Sequence, residues 1–254
     1  MSSVLETKNL GITFGGLKAL EGVHFVINQD QIVGLIGPNG AGKTTVFNLL
    51  TDVYVPTEGQ IELDGNDIVG KKTYQITQNG IARTFQNIRL FKDCTVLDNV
   101  KIGMNSQMKY SVLQGVLRTP AYRKEEKAVS KRAHDLLNVF GLDSFAYDQA
   151  KNLPYGAQRK LEIARALATS PKVLLLDEPA AGMNPTETME LMNTIKLIRD
   201  QFHISILLIE HDMNFVMGIC EHIVVLDYGR VIAEGNPDEI RNNPQVIAAY
   251  LGGE

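Results

Sequence analysis

Ile32 to Leu50 reads IVGLIGPNGAGKTTVFNLL. Ile32 to Ile36 is a short apolar run of the kind that makes a buried strand, and Val46, Leu49 and Leu50 recur at helical spacing. Between them lies a turn of glycine, four residues, then Gly-Lys-Thr, in the strand–turn–helix context that gives this pattern its meaning. Within the loop of Gly37, Pro38, Asn39, Gly40, Ala41 and Gly42 the glycines let the backbone N–H groups, which every residue but Pro38 carries, turn inward around a phosphate, and the helix N-terminus adds positive potential. Lys43 is expected to reach the outer phosphates, the Thr44 hydroxyl to ligate Mg²⁺, and Thr45 to complete the phosphate-binding set.

The chain has 254 residues, 44% of them hydrophobic, enough for a well-filled core. A formal net charge of −4 argues against a nucleic-acid binder that works through a broad basic surface. Cys94 and Cys220 are far apart and form no paired motif, and no basic-then-apolar leader opens the chain, so a reducing cytosolic setting is expected. The longest apolar runs, such as Ile204 to Ile209, fall well short of the ~20 residues that span a bilayer. Any membrane role is therefore expected to be peripheral.

Leu5 to Phe14 and His24 to Asn28 alternate polar with apolar residues, as half-buried antiparallel strands do. From about Thr95 to Leu142 the period becomes helical, with Val129, Ala133, Leu136, Leu137 and Phe140 on one stripe. After Pro171, strands Val173 to Leu176, Ile204 to Ile209 and His222 to Leu226 alternate with helices, which implies a mostly parallel sheet covered on both faces. Asn236-Pro237 and Asn243-Pro244 each place an N-cap candidate before a proline, predicting two short terminal helices. The expected class is α/β: a P-loop NTPase core with an antiparallel β layer, residues 1–86 and 168–254, and an inserted helical subdomain at 87–167.

A phosphate loop that supports hydrolysis needs an acidic partner, and KVLLLDEP, Lys172 to Pro179, supplies it. Its apolar strand ends in Asp177 and Glu178 at the carboxyl edge of the sheet, where ligands of open α/β sheets collect. Asp177 can hold Mg²⁺ and Glu178 can take a proton from the attacking water. His211 follows Ile204 to Ile209 and should project from the same edge towards the γ-phosphate. Gln86, between a strand-like segment and the helical block, is a candidate link between nucleotide and subdomain. Phe14 is a candidate to stack on an adenine, the alternative being a core aromatic of an amphipathic strand.

Taken in order, Phe14, the Gly37–Thr44 loop, Gln86, LPYGAQ (Leu153 to Gln158), VLLLDE, AAGMN (Ala180 to Asn184) and His211 resemble the ATP-binding cassette ATPases, over essentially the whole chain. The resemblance implies ATP with Mg²⁺ as cofactor, held by Thr44, Asp177 and Gln86, and catalysis by Glu178, His211 and Gln86. It also implies a dimer, with a like or an unlike second ATPase subunit, in which Tyr155, Gly156, Ala157 and Gln158 of one copy close over ATP bound to the other. Four residues depart from the family pattern: Pro154 stands where serine is usual, Tyr155 and Ala157 are changed beside it, and Asn184 stands where many members carry aspartate.

ARTFQNIRLFKDCTVLDNV, LPYGAQRKLEIARAL, DEPAAGMNP and RNNPQVIAAYLG are together similar to the ATPases of branched-chain amino acid importers. That likeness implies integral membrane permeases as partners, a solute-binding protein indirectly, and a peripheral position on the cytoplasmic face of the inner membrane. Asn87 to Lys92 is then expected to line a groove for a permease helix. ATPases of urea or amide import and of lipopolysaccharide export are alternatives. A small-molecule kinase would have no use for LPYGAQ, and nucleic-acid-associated cassettes typically carry coiled coils, zinc motifs or tandem cassettes, none of which is encoded here.

Overall fold

The computed structural model describes residues 2–107, 117 and 119–251. Two sheets form it. The first is antiparallel, in the order β2-β1-β4-β5, from β1 (Ser3–Phe14), β2 (Leu17–Asn28), β4 (Glu58–Leu63) and β5 (Asn66–Asp67). Gly15 and Gly16 turn the first hairpin with positive φ at both positions, 51° and 92°, so β2 begins at Leu17, opposite Phe14, rather than at His24. The strand β4 has no apolar alternation strong enough to announce it, since its first three residues are exposed.

The second sheet has the order β10-β9-β3-β8-β7-β6. It comprises β3 (Ile32–Ile36), β6 (Ile81–Arg83), β7 (Val173–Asp177), β8 (Ser205–Ile209), β9 (His222–Asp227) and β10 (Arg230–Gly235). All neighbours are parallel except β9 and β10. Every residue of β3, β7 and β8 is buried, as a sheet covered on both faces requires.

Alternate side chains of these strands enter two cores. Val33, Leu35, Val173, Leu175 and Leu207 pack on α1 (Lys43–Leu50) and on Leu5, Leu10 and Phe25 of the antiparallel layer. Ile32, Ile36, Leu174, Leu176, Ile206 and Leu208 face the opposite way. That second core is filled from α3 (Val96–Gly103), α4 (Pro120–Val139), α5 (Tyr155–Leu167), α6 (Pro185–Phe202) and α7 (Met213–Ile219). A short α2 (Thr73–Asn79) precedes β6.

The expected stripe Val129, Ala133, Leu136 and Leu137 is buried on α4, while part of the expected helical block, residues 108–116 and 118, lies outside the described residues. Both Asn-Pro signals open helices, α8 (Pro237–Arg241) and α9 (Pro244–Leu251), with Asn236 and Asn243 accepting from first-turn amides. Among the described residues no helix is long and apolar enough to cross a membrane.

Candidate functional site

Parallel strands share a direction, so the carboxyl ends of β3, β6, β7, β8 and β9 fall on one edge, and the loops leaving them assemble the site. The Gly37–Gly42 loop follows β3 directly. Gly40 and Gly42 have φ of 80° and 106°, values that side-chain-bearing residues rarely adopt. Gly42 is also the N-cap of α1, and a Cβ there would lie 2.6 Å from Leu20 Cδ2. This close approach seats the phosphate loop against β2. Leu20 pairs with Ile12, two residues before Phe14, and Phe14 itself pairs with Leu17 at the hairpin end. Phe14 is half exposed and meets Tyr54 edge-on at 5.1 Å between ring centroids.

Lys43 is buried, and its ammonium donates to Gly37 O at 2.7 Å and Pro38 O at 2.9 Å. Burial pushes its pKa below the ordinary value, and the charge of Glu178 opposes the shift. Thr44 is exposed at the start of α1, with Thr45 half-buried beside it. Gly37 to Ala41 line an open cleft of about 1140 Å³ whose other walls include His211, Tyr228 and, from α9, Gln245 and Tyr250.

Asp177, the last residue of β7, is buried, and its Oδ2 accepts from Arg83 Nη2 at 2.8 Å. Glu178 follows in a left-handed conformation, φ 49°, held by the hydrogen bond its backbone N–H donates to Ile209 O at 2.9 Å. Strain of this kind collects at functional positions. Its carboxylate is bracketed: Oε2 accepts from Gln86 Nε2 at 2.7 Å, and Oε1 lies 2.9 Å from His211 Nε2. The structure thus brings Gln86, Glu178 and His211, from the ends of three different strands, into one hydrogen-bonded row.

The donors fit a hard divalent cation. Mg²⁺ is usually held by one or two carboxylates together with substrate phosphates and water, not by an all-protein cage. The Thr44 hydroxyl, the Asp177 carboxylate with Oδ1 outside the Arg83 bond, and the Gln86 amide are oxygen donors of that kind.

Tyr155 to Gln158 open helix α5 and lie elsewhere. Tyr155 Oη donates to Ala181 O at 3.1 Å, buried Gly156 faces Glu187, and Gln158 Nε2 donates to Leu153 O at 2.8 Å. Among the described residues none of their hydrogen bonds reaches the phosphate loop of the same chain.

Four charged residues of the site were not singled out from the sequence. Arg83 pairs with Asp177, and buried Glu210 accepts from the amides of Ala180 at 2.7 Å and His211 at 3.1 Å. Arg159 and Glu162 of α5 form a buried pair under Gln86. Helix α5 reads as basic and amphipathic, yet these two polar positions point inward. The available signal was adjacency to recognised residues: Arg83 in ARTFQ, Glu210 in IEHD and Arg159 after LPYGAQ.

A glycine-rich loop entering a helix, an acidic strand end and a parallel sheet define a P-loop nucleoside triphosphatase. The ABC transporter family profile matches residues 20–181, and a profile for the branched-chain amino acid ATP-binding cassette transporter matches residues 230–254. The chain belongs to the ABC transporter family and is an ATPase of that family. It is 47% identical over 249 residues to the high-affinity branched-chain amino acid transport ATP-binding protein BraF of Pseudomonas aeruginosa, covering 98% of each chain. It is 48% identical, with the same coverage, to LivG of Escherichia coli K12, described in the same terms. Among solved structures it resembles the ADP conformation of the ATP-binding cassette MJ1267, with a TM-score of 0.86, 32% identity and 100% of both chains covered. It also resembles cbiO1 from Clostridium perfringens, part of the transporter complex cbiONQ, with a TM-score of 0.82, 26% identity and 99% and 95% of the two chains covered.

Proposed function

We propose that this chain is the ATP-hydrolysing subunit of an importer of branched-chain amino acids, working on the cytoplasmic face of the membrane beneath integral permeases. The substrate class is supported by near full-length likeness to BraF and LivG and by the C-terminal profile match. The chemistry is carried by one observation: Glu178 is bracketed by Gln86 at 2.7 Å and His211 at 2.9 Å.

In this reading the backbone N–H groups of the Gly37–Gly42 loop other than at Pro38, together with Lys43, Thr44 and Thr45, hold the phosphates of ATP, and Phe14 stacks on the base. Thr44, Asp177 and Gln86 would hold Mg²⁺, which when bound would neutralise phosphate charge. Glu178 accepts a proton from the attacking water, while His211 turns its ring N–H towards the γ-phosphate. Gln86 passes the state of the site to the helical subdomain, residues 87–167. The Tyr155–Gln158 turn, whose hydrogen bonds among the described residues do not reach its own phosphate loop, serves the loop of a second subunit, with the backbone of Gly156 approaching the γ-phosphate.

Leucine uptake in an Escherichia coli strain lacking LivG tests the assignment. Expression of this chain should restore uptake and the Glu178→Gln variant should not. No rescue by a well-expressed wild-type chain, together with rescue of urea or amide uptake in the corresponding strain, would overturn the proposed solute class.

A further inference from the structure

Helix α5 carries QRKLEIARAL, in which Arg159 and Glu162 stand one turn apart. Their side chains are 0% and 1% exposed and their charges meet at 3.0 Å. Burying two charges costs several kcal/mol per ion unless hydrogen bonds satisfy them, so the remaining partners matter. Arg159 Nη1 donates to Phe85 O at 2.8 Å, and Nη2 donates to Gln86 O at 2.8 Å and Glu178 O at 3.4 Å. Glu162 Oε1 accepts from Arg89 N at 3.0 Å.

One turn of α5 therefore grips the backbone on both flanks of Gln86 and the carbonyl of Glu178. The sheet holds this segment only as far as Thr84, whose amide donates to Leu175 O at 3.0 Å. The next two carbonyls are held by Arg159. A planar guanidinium presents its amino groups in a fixed fork that fits both carbonyls, while an ammonium gathers its donors on one atom at the end of a flexible stem and does not reproduce that fork.

We propose that Arg159 is a positioning residue for hydrolysis. It fixes the Gln86–Glu178 geometry and makes that geometry follow the placement of α5, the helix that begins with the Tyr155–Gln158 turn. Closure of the turn on a second subunit then reaches Glu178 from behind, through the protein, as well as across the nucleotide. The proposal rests on the catalytic reading of Glu178 and Gln86 given above.

The test uses the full chain with MgATP. Arg159→Lys keeps a positive charge beside Glu162, and Arg159→Met with Glu162→Met removes both charges at similar volume. In both variants kcat should fall about 10²-fold, the scale of a small misplacement of reacting groups, with KM close to wild type. Hydrogen exchange at amides 85–89 should lose its response to a non-hydrolysable ATP analogue, while amides 37–46 stay protected. A folded variant with wild-type kcat and a wild-type exchange response at 85–89 would reduce Arg159 to a core ion pair and overturn the proposal. Glu178→Gln is the control: wild-type turnover there overturns the catalytic reading itself, and the role of Arg159 with it.

Discussion

The Arg83 guanidinium lies 2.8 Å from Asp177 Oδ2, and both side chains are 8% exposed. Arg83 Nη1 also donates to Asn48 Oδ1 at 2.8 Å, and Arg83 Cζ sits 5.4 Å from the ring centres of both Phe47 and Phe85. The proposed metal carboxylate is thus part of the core's electrostatics. Arg83→Leu strands a buried carboxylate and should destabilise the fold by about 3–5 kcal/mol. Urea denaturation measures it; a change under about 1 kcal/mol, the worth of an exposed pair, would show that Asp177 does not depend on Arg83.

Lys43 and Glu178 separate binding from chemistry. Lys43→Ala should remove most ATP affinity, because its ammonium sits in the phosphate loop on the carbonyls of Gly37 and Pro38. Glu178→Gln should bind ATP normally and hydrolyse it ~10²–10⁴-fold more slowly, the range of a positioned acid or base. Nucleotide titration and single-turnover hydrolysis distinguish the two, and equal loss of binding in both variants would remove Glu178 from its role.

The parallel core was legible because Ile32–Ile36 and Val173–Leu176 are short apolar runs broken by loop chemistry, and burial on both faces demands such runs. Strand β4 and helix α2 were not, since EGQIEL and TYQITQN have mostly exposed faces and show no strong period. In the site, loop residues such as Gln86 and His211 could be placed because strand ends fix where they emerge. The buried pairs Arg83–Asp177 and Arg159–Glu162 escaped notice for a physical reason. A charged residue normally reads as solvent-facing, and only the three-dimensional partner reverses that.

Glu210 predicts a pH dependence. Burial raises its carboxyl pKa above the ordinary value; the amide bonds from Ala180, His211 and Asp212 oppose the rise, and the neighbouring Glu178 charge adds to it. The folded state therefore holds this proton more tightly than the unfolded chain does. The resulting stability is fully present below the unfolded value, 4.5, and is lost as pH rises through the higher folded value. Relative to Glu210→Gln, the wild type should gain stability as pH falls from 7 towards 4.5, as read by urea denaturation. His211, Asp212 and Glu178 are common to both proteins, so a pH-independent difference would refute the assignment.

Docking of a permease to Asn87–Lys92 is best tested at Phe91. Leu90 packs against the helical core, so a charge there would disturb folding, whereas Phe91 is 48% exposed, beside Arg165 at 5.5 Å. Phe91→Asp should leave ATP hydrolysis by the isolated subunit intact and abolish its stimulation by permeases in proteoliposomes. Unchanged stimulation would place the docking surface elsewhere.

The last prediction asks whether the Tyr155–Gln158 turn acts on a second subunit. Gly156→Asp places a carboxylate where the γ-phosphate of the partner's ATP would lie, and like charges a few ångströms apart repel by about 1 kcal/mol in water and about 4 kcal/mol near a protein surface. The same substitution has an effect within the chain, because a Cβ on Gly156 would lie 2.9 Å from Glu187 Oε1. Glu187 belongs to the capping box of α6, its Oε2 accepting from Asn184 N at 3.0 Å. Loss of ATP-dependent dimerisation in Gly156→Asp alone would therefore have two explanations. Adding Glu187→Gln removes the internal charge repulsion, the close contact itself being with the far end of a flexible side chain that can turn aside, and leaves the repulsion across the interface. In a Glu178→Gln background, sedimentation with ATP should find both the single and the double variant monomeric, with monomeric ATP affinity unchanged. Restored dimerisation in the Gly156→Asp, Glu187→Gln protein would assign the turn to local support of α6 and remove it from the partner's nucleotide site.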